Sequence, residues 1–363
     1  MISRIVKIRK EIKSLGLDGL FISNQHNVTY LTGFAGLAAN EREGFLLITA
    51  SNAYLLTYAT YYGLYQKGES GFQTLSITPT SKLVRHLKEL SMSENLKKVG
   101  FEKENITVGE LSSLKKNLTV TLVETEDIIE KFRLFKDNGE LSSITSAAKI
   151  GDQAFNFIKT KIKKGKSEKD LAFELEYFIK KQADDISFSP IVAYDEGAAI
   201  PHYLPSKKKI ITGNTLILLD FGAIVGGYCS DMTRVVFLGT PSETQAKAYK
   251  TLLEAHKLLH SELASNSPIS GAKLDQIARG VVKKSGFPTY PHSLGHGVGL
   301  AIHENPRLRF DKNQLLEPGM VFTLEPAIYI DRKFGIRIED LVYLKGGNIE
   351  ILTKSSKDLT ILY

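Results

Sequence analysis

Residues Leu216-Ile217-Leu218-Leu219-Asp220-Phe221-Gly222 set a carboxylate at the end of four consecutive aliphatic side chains. A run this short, closed by glycine, reads as a buried strand over 215–220. An unpaired charge buried there would be costly, so Asp220 must pair, hold a metal or be solvated at the strand end. Upstream, helical patterns over about 139–161 and 167–184 lead into a strand-like stretch at 189–193. Downstream, helical patterns near 242–263 and 272–286 precede strand-like stretches near 318–324, 325–330 and 335–344. A helix pair followed by strands, twice over, predicts two structurally similar halves. The expected class is α+β, a mostly antiparallel sheet covered by helices on one side.

The first third of the chain has another rhythm. Ile5, Ile8, Ile12 and Leu15 form a helical stripe that Gly16 stops. Strand-like runs at 19–22, 45–49, 54–58, 98–101 and 118–123 then alternate with helical patterns at 83–90 and 108–114. That alternation predicts a separate α/β unit. Asn24, His26, Asn27 and Tyr30 follow the first strand and read as turn residues. The stretch 125–138 reads as a joining helix or linker, so the expected domains are 1–130 and 131–363.

Composition narrows the function classes. At 363 residues two domains are expected. With 42% hydrophobic and 24% charged residues, the chain is neither disordered nor fibrous. No apolar run approaches the roughly 18 residues of a membrane-spanning helix, so no membrane partner is expected. Cys229 is the single cysteine, which excludes an internal disulfide and a cysteine-based metal site and fits a reducing compartment. The first residues lack the continuous apolar stretch of a signal peptide, and a cytoplasmic protein is expected. The net charge of +7 comes mostly from scattered lysines beside loop glycines; it reads as a solvated face, with no nucleic-acid partner.

Chemistry collects in the second half. Six of the eight histidines lie between residues 202 and 303, among them His202, His292, His296 and His303. Asp231 follows Asp220 in Gly227-Tyr228-Cys229-Ser230-Asp231-Met232-Thr233-Arg234, where a simple pairing with Arg234 is the plain alternative. Gly295, Gly297 and Gly299 make a regular helix around His296 improbable; they let backbone pack closely and leave His296 to project alone. Their spacing also fails the dinucleotide-binding pattern. Glu325 ends the apolar run Val321-Phe322-Thr323-Leu324 and precedes Pro326. Gly335-Ile336-Arg337-Ile338-Glu339-Asp340 alternates, which puts Arg337 and Glu339 on one face of a strand, where they could pair with each other. Two aspartates, two glutamates and one histidine form a donor set suited to Mn²⁺, Co²⁺, Fe²⁺ or Zn²⁺. Such a set can hold two ions about 3.5–4 Å apart.

These stretches resemble the metallopeptidases of the pita-bread fold, which include methionine aminopeptidase, aminopeptidase P and prolidase. The resemblance is carried by Leu219–Gly222, Ser230–Arg234, the segment 292–306, Glu317–Met320, Thr323–Pro326 and Arg337–Asp340, all in order. It covers the C-terminal 230 or so residues closely, whereas the N-terminal third is similar, more loosely, to a creatinase-like α/β domain. Within the family the chain most resembles the Xaa-Pro peptidases, and Pro201-His202 fits that group.

The resemblance implies two divalent ions per subunit, Mn²⁺ or Co²⁺ before Zn²⁺ or Fe²⁺. Asp220 would ligate one ion, Asp231 and Glu339 would bridge both, and His296 and Glu325 would complete the second. Glu325 would also shuttle the proton. His303 and His202 would contact the scissile peptide, His292 would line the substrate pocket, and Arg337 would orient a site carboxylate. It further implies a proline-containing di- or oligopeptide substrate and a homodimer. Xaa-Pro dipeptidase and aminopeptidase P both remain open, the first preferred. Methionine aminopeptidase is disfavoured by the large N-terminal domain, and a metal-free amidinohydrolase or an inactive binding protein by the complete ligand set. Ala327 stands where many relatives have glycine, and with no tryptophan in the chain an aromatic wall would need Phe or Tyr.

Overall fold

The computed structural model describes residues 2–37, 41–66, 71–265, 269–346 and 348–363. The chain divides into two compact units, Met1–Arg133 and Leu134–Tyr363.

The first unit is built on a six-stranded sheet. In spatial order its strands are Gln73–Ile77, Ala53–Tyr58, Gly44–Thr49, Gly19–Ile22, Lys98–Glu102 and Thr121–Thr125. Gly19–Ile22 lies near the middle, antiparallel to Gly44–Thr49 and parallel to Lys98–Glu102. The opening helix, Ile2–Ser14, buries Ile5, Ile8 and Ile12, the stripe its sequence displays. One expectation fails here. Asn24, His26, Asn27 and Tyr30 do not make a turn: Gln25–Thr32 is a helix, and Asn24 caps it, its side chain accepting from the backbone N–H groups of His26 (3.0 Å) and Asn27 (3.3 Å). A residue that favours turns favours helix N-termini for the same reason, because its short side chain satisfies orphan N–H groups.

In the second unit the strand Thr215–Phe221 pairs along its whole length with Met232–Leu238, antiparallel. Ile191–Tyr194 flanks it on one side, and Thr360–Leu362 runs parallel to Met232–Leu238 on the other. The helices were expected on one side only, but this sheet is covered on both faces. Ile217, Leu219 and Phe221 enter a core with the helices Asn138–Lys159 and Glu168–Gln182. Leu216 and Leu218 enter another core with Ile328, Phe334, Ile336 and Ile338 and the helices Glu243–Ser265 and Gly271–Lys284. Two-faced burial is why the run is aliphatic at every position rather than at alternate ones.

A second sheet orders the strands Glu304–Leu308, Gly295–Gly297, Val321–Leu324, Asp340–Lys345 and Asn348–Ile351. The stretches expected as 325–330 and 335–344 divide differently. Val321–Leu324 pairs with Asp340–Lys345, whereas the next ribbon, Ala327–Ile330 with Phe334–Arg337, is a separate two-stranded sheet. Leu324 opposes Asp340, and Ala327 opposes Arg337. The residues between, Glu325-Pro326 on one chain segment and Ile338-Glu339 on the other, fall in matching breaks. Pro326 has no N–H to give the ladder, and the partner segment opens with it. Both glutamates therefore sit where the ribbon parts.

Candidate metal centre

All nine residues singled out from the sequence, Asp220, Asp231, His202, His292, His296, His303, Glu325, Arg337 and Glu339, line one cavity of about 550 Å³. Asp220 lies one residue from the end of Thr215–Phe221, and Asp231 immediately precedes the strand paired with it. Asp220 faces the same way as Leu216 and Leu218, opposite Thr233. His296 sits in the middle of the three-residue strand Gly295–Gly297. A Cβ on Gly295 would lie 2.0 Å from the Thr323 carbonyl oxygen, and one on Gly297 2.1 Å from that of Asn305, so only glycine lets the backbone around His296 approach this closely.

Asp231, His296 and Glu339 each offer a ligand atom within 4.8 Å of the others. The His296 Nε2 lies 3.6 Å from an oxygen of Asp231 and 3.6 Å from one of Glu325. Its Nδ1 lies 3.2 Å from the Gly297 carbonyl and donates to it, which leaves the Nε2 lone pair facing the carboxylates. Burial drives its pKa down to about 3, so the ring is neutral and free to ligate. Thr233 Oγ1 donates to Glu339 at 2.6 Å and accepts from Arg337 Nε at 3.0 Å. The Arg337 guanidinium is bonded to Asp220 and, at 2.7 Å, to the Tyr329 hydroxyl. That hydroxyl lies 3.0 Å from His292 Nε2, and His292 Nδ1 donates to the Ser293 carbonyl at 2.7 Å. The His303 ring stands edge-on to His296, centroids 4.4 Å apart.

The plain alternatives to a site do not hold. Asp231 is not Arg234's partner; the buried Arg234 pairs with Asp340 at 2.7 Å. Asp220 lies in a strand rather than capping a turn, and Arg337 pairs with it rather than with Glu339. Thr233, Tyr329 and Arg307 belong to the site environment without having been singled out. Thr233 lies inside the same motif as Asp231, but Tyr329 has no local signal at all.

The pocket is short of positive charge. Three buried carboxylates and the largely buried Glu325 face the guanidinium of Arg337 and a neutral histidine. Burial, followed by Glu339's charge, pushes Asp231 and Glu325 well above the usual carboxylate range. Burial and the charge of Asp220 push Glu339 up to about 7. One oxygen each of Asp220 and Asp231 is buried with no partner. Bare oxygens, repelling carboxylates and an imidazole lone pair converging on one cavity fit divalent cations.

Comparison with known proteins agrees. Residues 142–346 match the model of metallopeptidase family M24, and residues 4–135 match the creatinase/prolidase N-terminal domain. The chain belongs to metallopeptidase family M24. Among M24 relatives it is 33% identical to an Xaa-Pro dipeptidase of Pyrococcus horikoshii, over 99% of each protein. It superposes on the structure of an Xaa-Pro dipeptidase from Bacillus anthracis with a TM-score of 0.91, at 34% identity and 99% coverage of both chains. An X-Pro aminopeptidase structure from Thermotoga maritima gives a TM-score of 0.86 at 30% identity, covering 96% of this chain and 98% of that one. M24 membership makes the chain a hydrolase dependent on divalent metal. No helix among the described residues is long and apolar enough to cross a membrane.

Proposed function

We propose that this M24 metallopeptidase is an Xaa-Pro dipeptidase that works with two divalent cations, Mn²⁺ or Co²⁺, with Zn²⁺ or Fe²⁺ as the alternatives. The observation that carries the reading is the cluster of four carboxylates around His296 in a single cavity, three of them buried and Glu325 nearly so. Asp220, Asp231, His296, Glu325 and Glu339 hold the ions. When bound, the cations polarise the scissile carbonyl and make water a nucleophile near neutral pH. The side chains do the rest. Glu325 takes a proton from the attacking water and returns it to the leaving proline nitrogen. His202 and His303 contact the scissile peptide and stabilise the tetrahedral carbon's oxygen. His292, fixed between Tyr329 and the Ser293 carbonyl, lines the proline pocket. Arg337 pairs with Asp220 and aims its carboxylate. A pocket shaped around proline suits a bond that lacks an N–H to read. The enzyme acts as a homodimer in the cytoplasm. Resemblance to the Xaa-Pro peptidases supports the first, and the lone, buried Cys229 thiol supports the second.

Arg307 supports a dipeptide over a longer chain. Its guanidinium is half-buried in the cavity wall, and its only described bond is a long one, 3.4 Å, to the His303 carbonyl. It forms no ion pair among the described residues, and it is available for the free carboxylate that only a dipeptide carries on its proline. Arg307→Met is expected to raise KM for an Xaa-Pro dipeptide roughly 10–100-fold with little change in kcat, the loss of one charge-assisted hydrogen bond. A KM unchanged within twofold would remove Arg307 from that role.

The deciding assay compares an Xaa-Pro dipeptide with an Xaa-Pro-Xaa tripeptide, with Mn²⁺ and after chelation. Cleavage of the dipeptide alone, abolished by chelator and restored by Mn²⁺, is expected. Preference for the tripeptide would make the enzyme an aminopeptidase P, and activity that survives stripping would refute the metal centre.

A further inference from the structure

The break in the strand that carries Glu339 creates a problem that the back of the pocket solves. Ile338 and Glu339 lie between two ribbons, so their carbonyls have no ladder partners, yet both residues are buried. A buried carbonyl without a partner is costly. Two side chains from elsewhere in the fold meet the need. His256, on the helix Glu243–Ser265 and only 2% exposed, has its Nε2 2.8 Å from the Ile338 carbonyl oxygen. A carbonyl can only accept, so Nε2 carries the proton. On the other side Arg234 Nη1 donates to the Glu339 carbonyl, and Nη2 donates to Asp340 and, at 2.9 Å, to the Ser355 carbonyl. The Glu339 N–H reaches the Thr233 carbonyl at 3.1 Å, and its carboxylate takes the Thr233 hydroxyl. The peptide groups before and after Glu339 are thus each gripped by a buried side chain.

We propose that His256 is a positioning residue for Glu339, its Nε2–H fixing the preceding peptide so that the carboxylate points into the cavity, and that it thereby sets the affinity of the pocket for its cation. The inference rests on the reading of Glu339 as a metal ligand. Burial supports it by holding the imidazole neutral, its pKa down at about 4, so the ring keeps a single donor at working pH. His256, His260 and Asp340 also come within 4.8 Å of one another, but they do not make a second cation site. Asp340 is already committed to Arg234, to Lys357 and, at 3.1 Å, to Thr353. A divalent ion there would face two cations. The cluster is built to orient the strand, not to ligate.

The test uses Mn²⁺ binding to the chelator-stripped full chain by calorimetry, with unfolding temperature measured alongside. Glutamine can present an amide N–H where Nε2 sits, and asparagine only where Nδ1 sits. His256→Asn is expected to weaken Mn²⁺ binding about 10–100-fold, the usual consequence of losing a partner behind a ligand. His256→Gln is expected to stay within a few-fold of the unmutated chain. Packing alone would lower the unfolding temperature of both variants and leave both affinities alone, which would overturn the inference. Glu339→Gln separates the two claims. If it binds Mn²⁺ as tightly as the unmutated chain, the metal-centre reading falls and this inference with it. If it loses binding while His256→Asn does not, only the inference falls. Should His256→Asn not fold, the unmutated chain still decides: the His256 imidazole NMR signals are expected to report the Nε2–H tautomer and to shift on titration with diamagnetic Zn²⁺. Signals that stay put overturn the proposal.

Discussion

Glu325→Gln is expected to lower kcat on an Xaa-Pro dipeptide by roughly 10²–10⁴-fold, the range for removing a positioned general acid–base group. The substitution keeps shape and removes a charge. Glu325 lies fully inside the cluster, one oxygen 3.6 Å from His296 Nε2 and the other 3.7 Å from His292 Nδ1. Burial and the repulsion of Glu339 hold its carboxyl far above the normal range. Neutralising it relieves that repulsion, so the metal-free variant should unfold at the same temperature as the unmutated protein or higher. Damage to the fold would move stability and activity down together; loss of a proton carrier moves only activity. Steady-state kinetics at saturating Mn²⁺ and a metal-free melting curve decide between them. A kcat within about threefold of the original would take the proton-shuttle role away from Glu325.

The second large effect concerns stability. Arg234 and Asp340 form an ion pair with side chains 1% and 0% exposed. Arg234→Met fills similar space but leaves the Asp340 carboxylate with the partly exposed Lys357 as its remaining cation and strips donors from the Thr233, Glu339 and Ser355 carbonyls. Breaking a buried pair by removing one partner costs about 3–5 kcal/mol, because an uncompensated charge remains. In a unit of this size that corresponds to a fall of roughly 6–20 °C in unfolding temperature. The double variant Arg234→Met, Asp340→Asn should recover part of the loss, since the stranded charge goes with it. A single variant that melts within about 3 °C of the original would show that the pair holds nothing together.

The site was legible in unequal parts, for physical reasons. Asp220 stands out because a carboxylate at the end of an aliphatic run needs a partner, and strand burial is visible in the run itself. Asp231, eleven residues on, carries a weaker signal, with Arg234 close by in sequence as a plain partner. His296 stands out through its glycines, whose lack of a side chain marks close backbone approach. Glu325 is marked by the proline that follows it. The break at Ile338-Glu339 was not visible, because apolar–polar alternation runs straight through it. The ribbon parts opposite Pro326, which has no N–H to give, and the N–H groups of Glu325 and Glu339 turn to Leu294 and Thr233. Asn24 was read for half of its chemistry, since turn and N-cap use the same hydrogen bond. His256 and His260, four residues apart on a helix, give no sign of facing inward to a strand more than 70 residues away.

Which residue types the chain would bury, on which strands, and hence which chemistry it could support followed from the sequence alone, because hydrophobic patterning is local and a carboxylate inside such a pattern is costly wherever the strand goes. Which cation would meet which carboxylate did not. Arg234 lies three residues from Asp231, and Arg337 lies two from Glu339, yet Arg234 pairs with Asp340 and Arg337 with Asp220, partners 106 and 117 residues distant. Local spacing favours the wrong partner in both cases. Coulomb energy and hydrogen-bond geometry depend on separation in space, and only the packing of the two ribbons against the strand Thr215–Phe221 sets those separations.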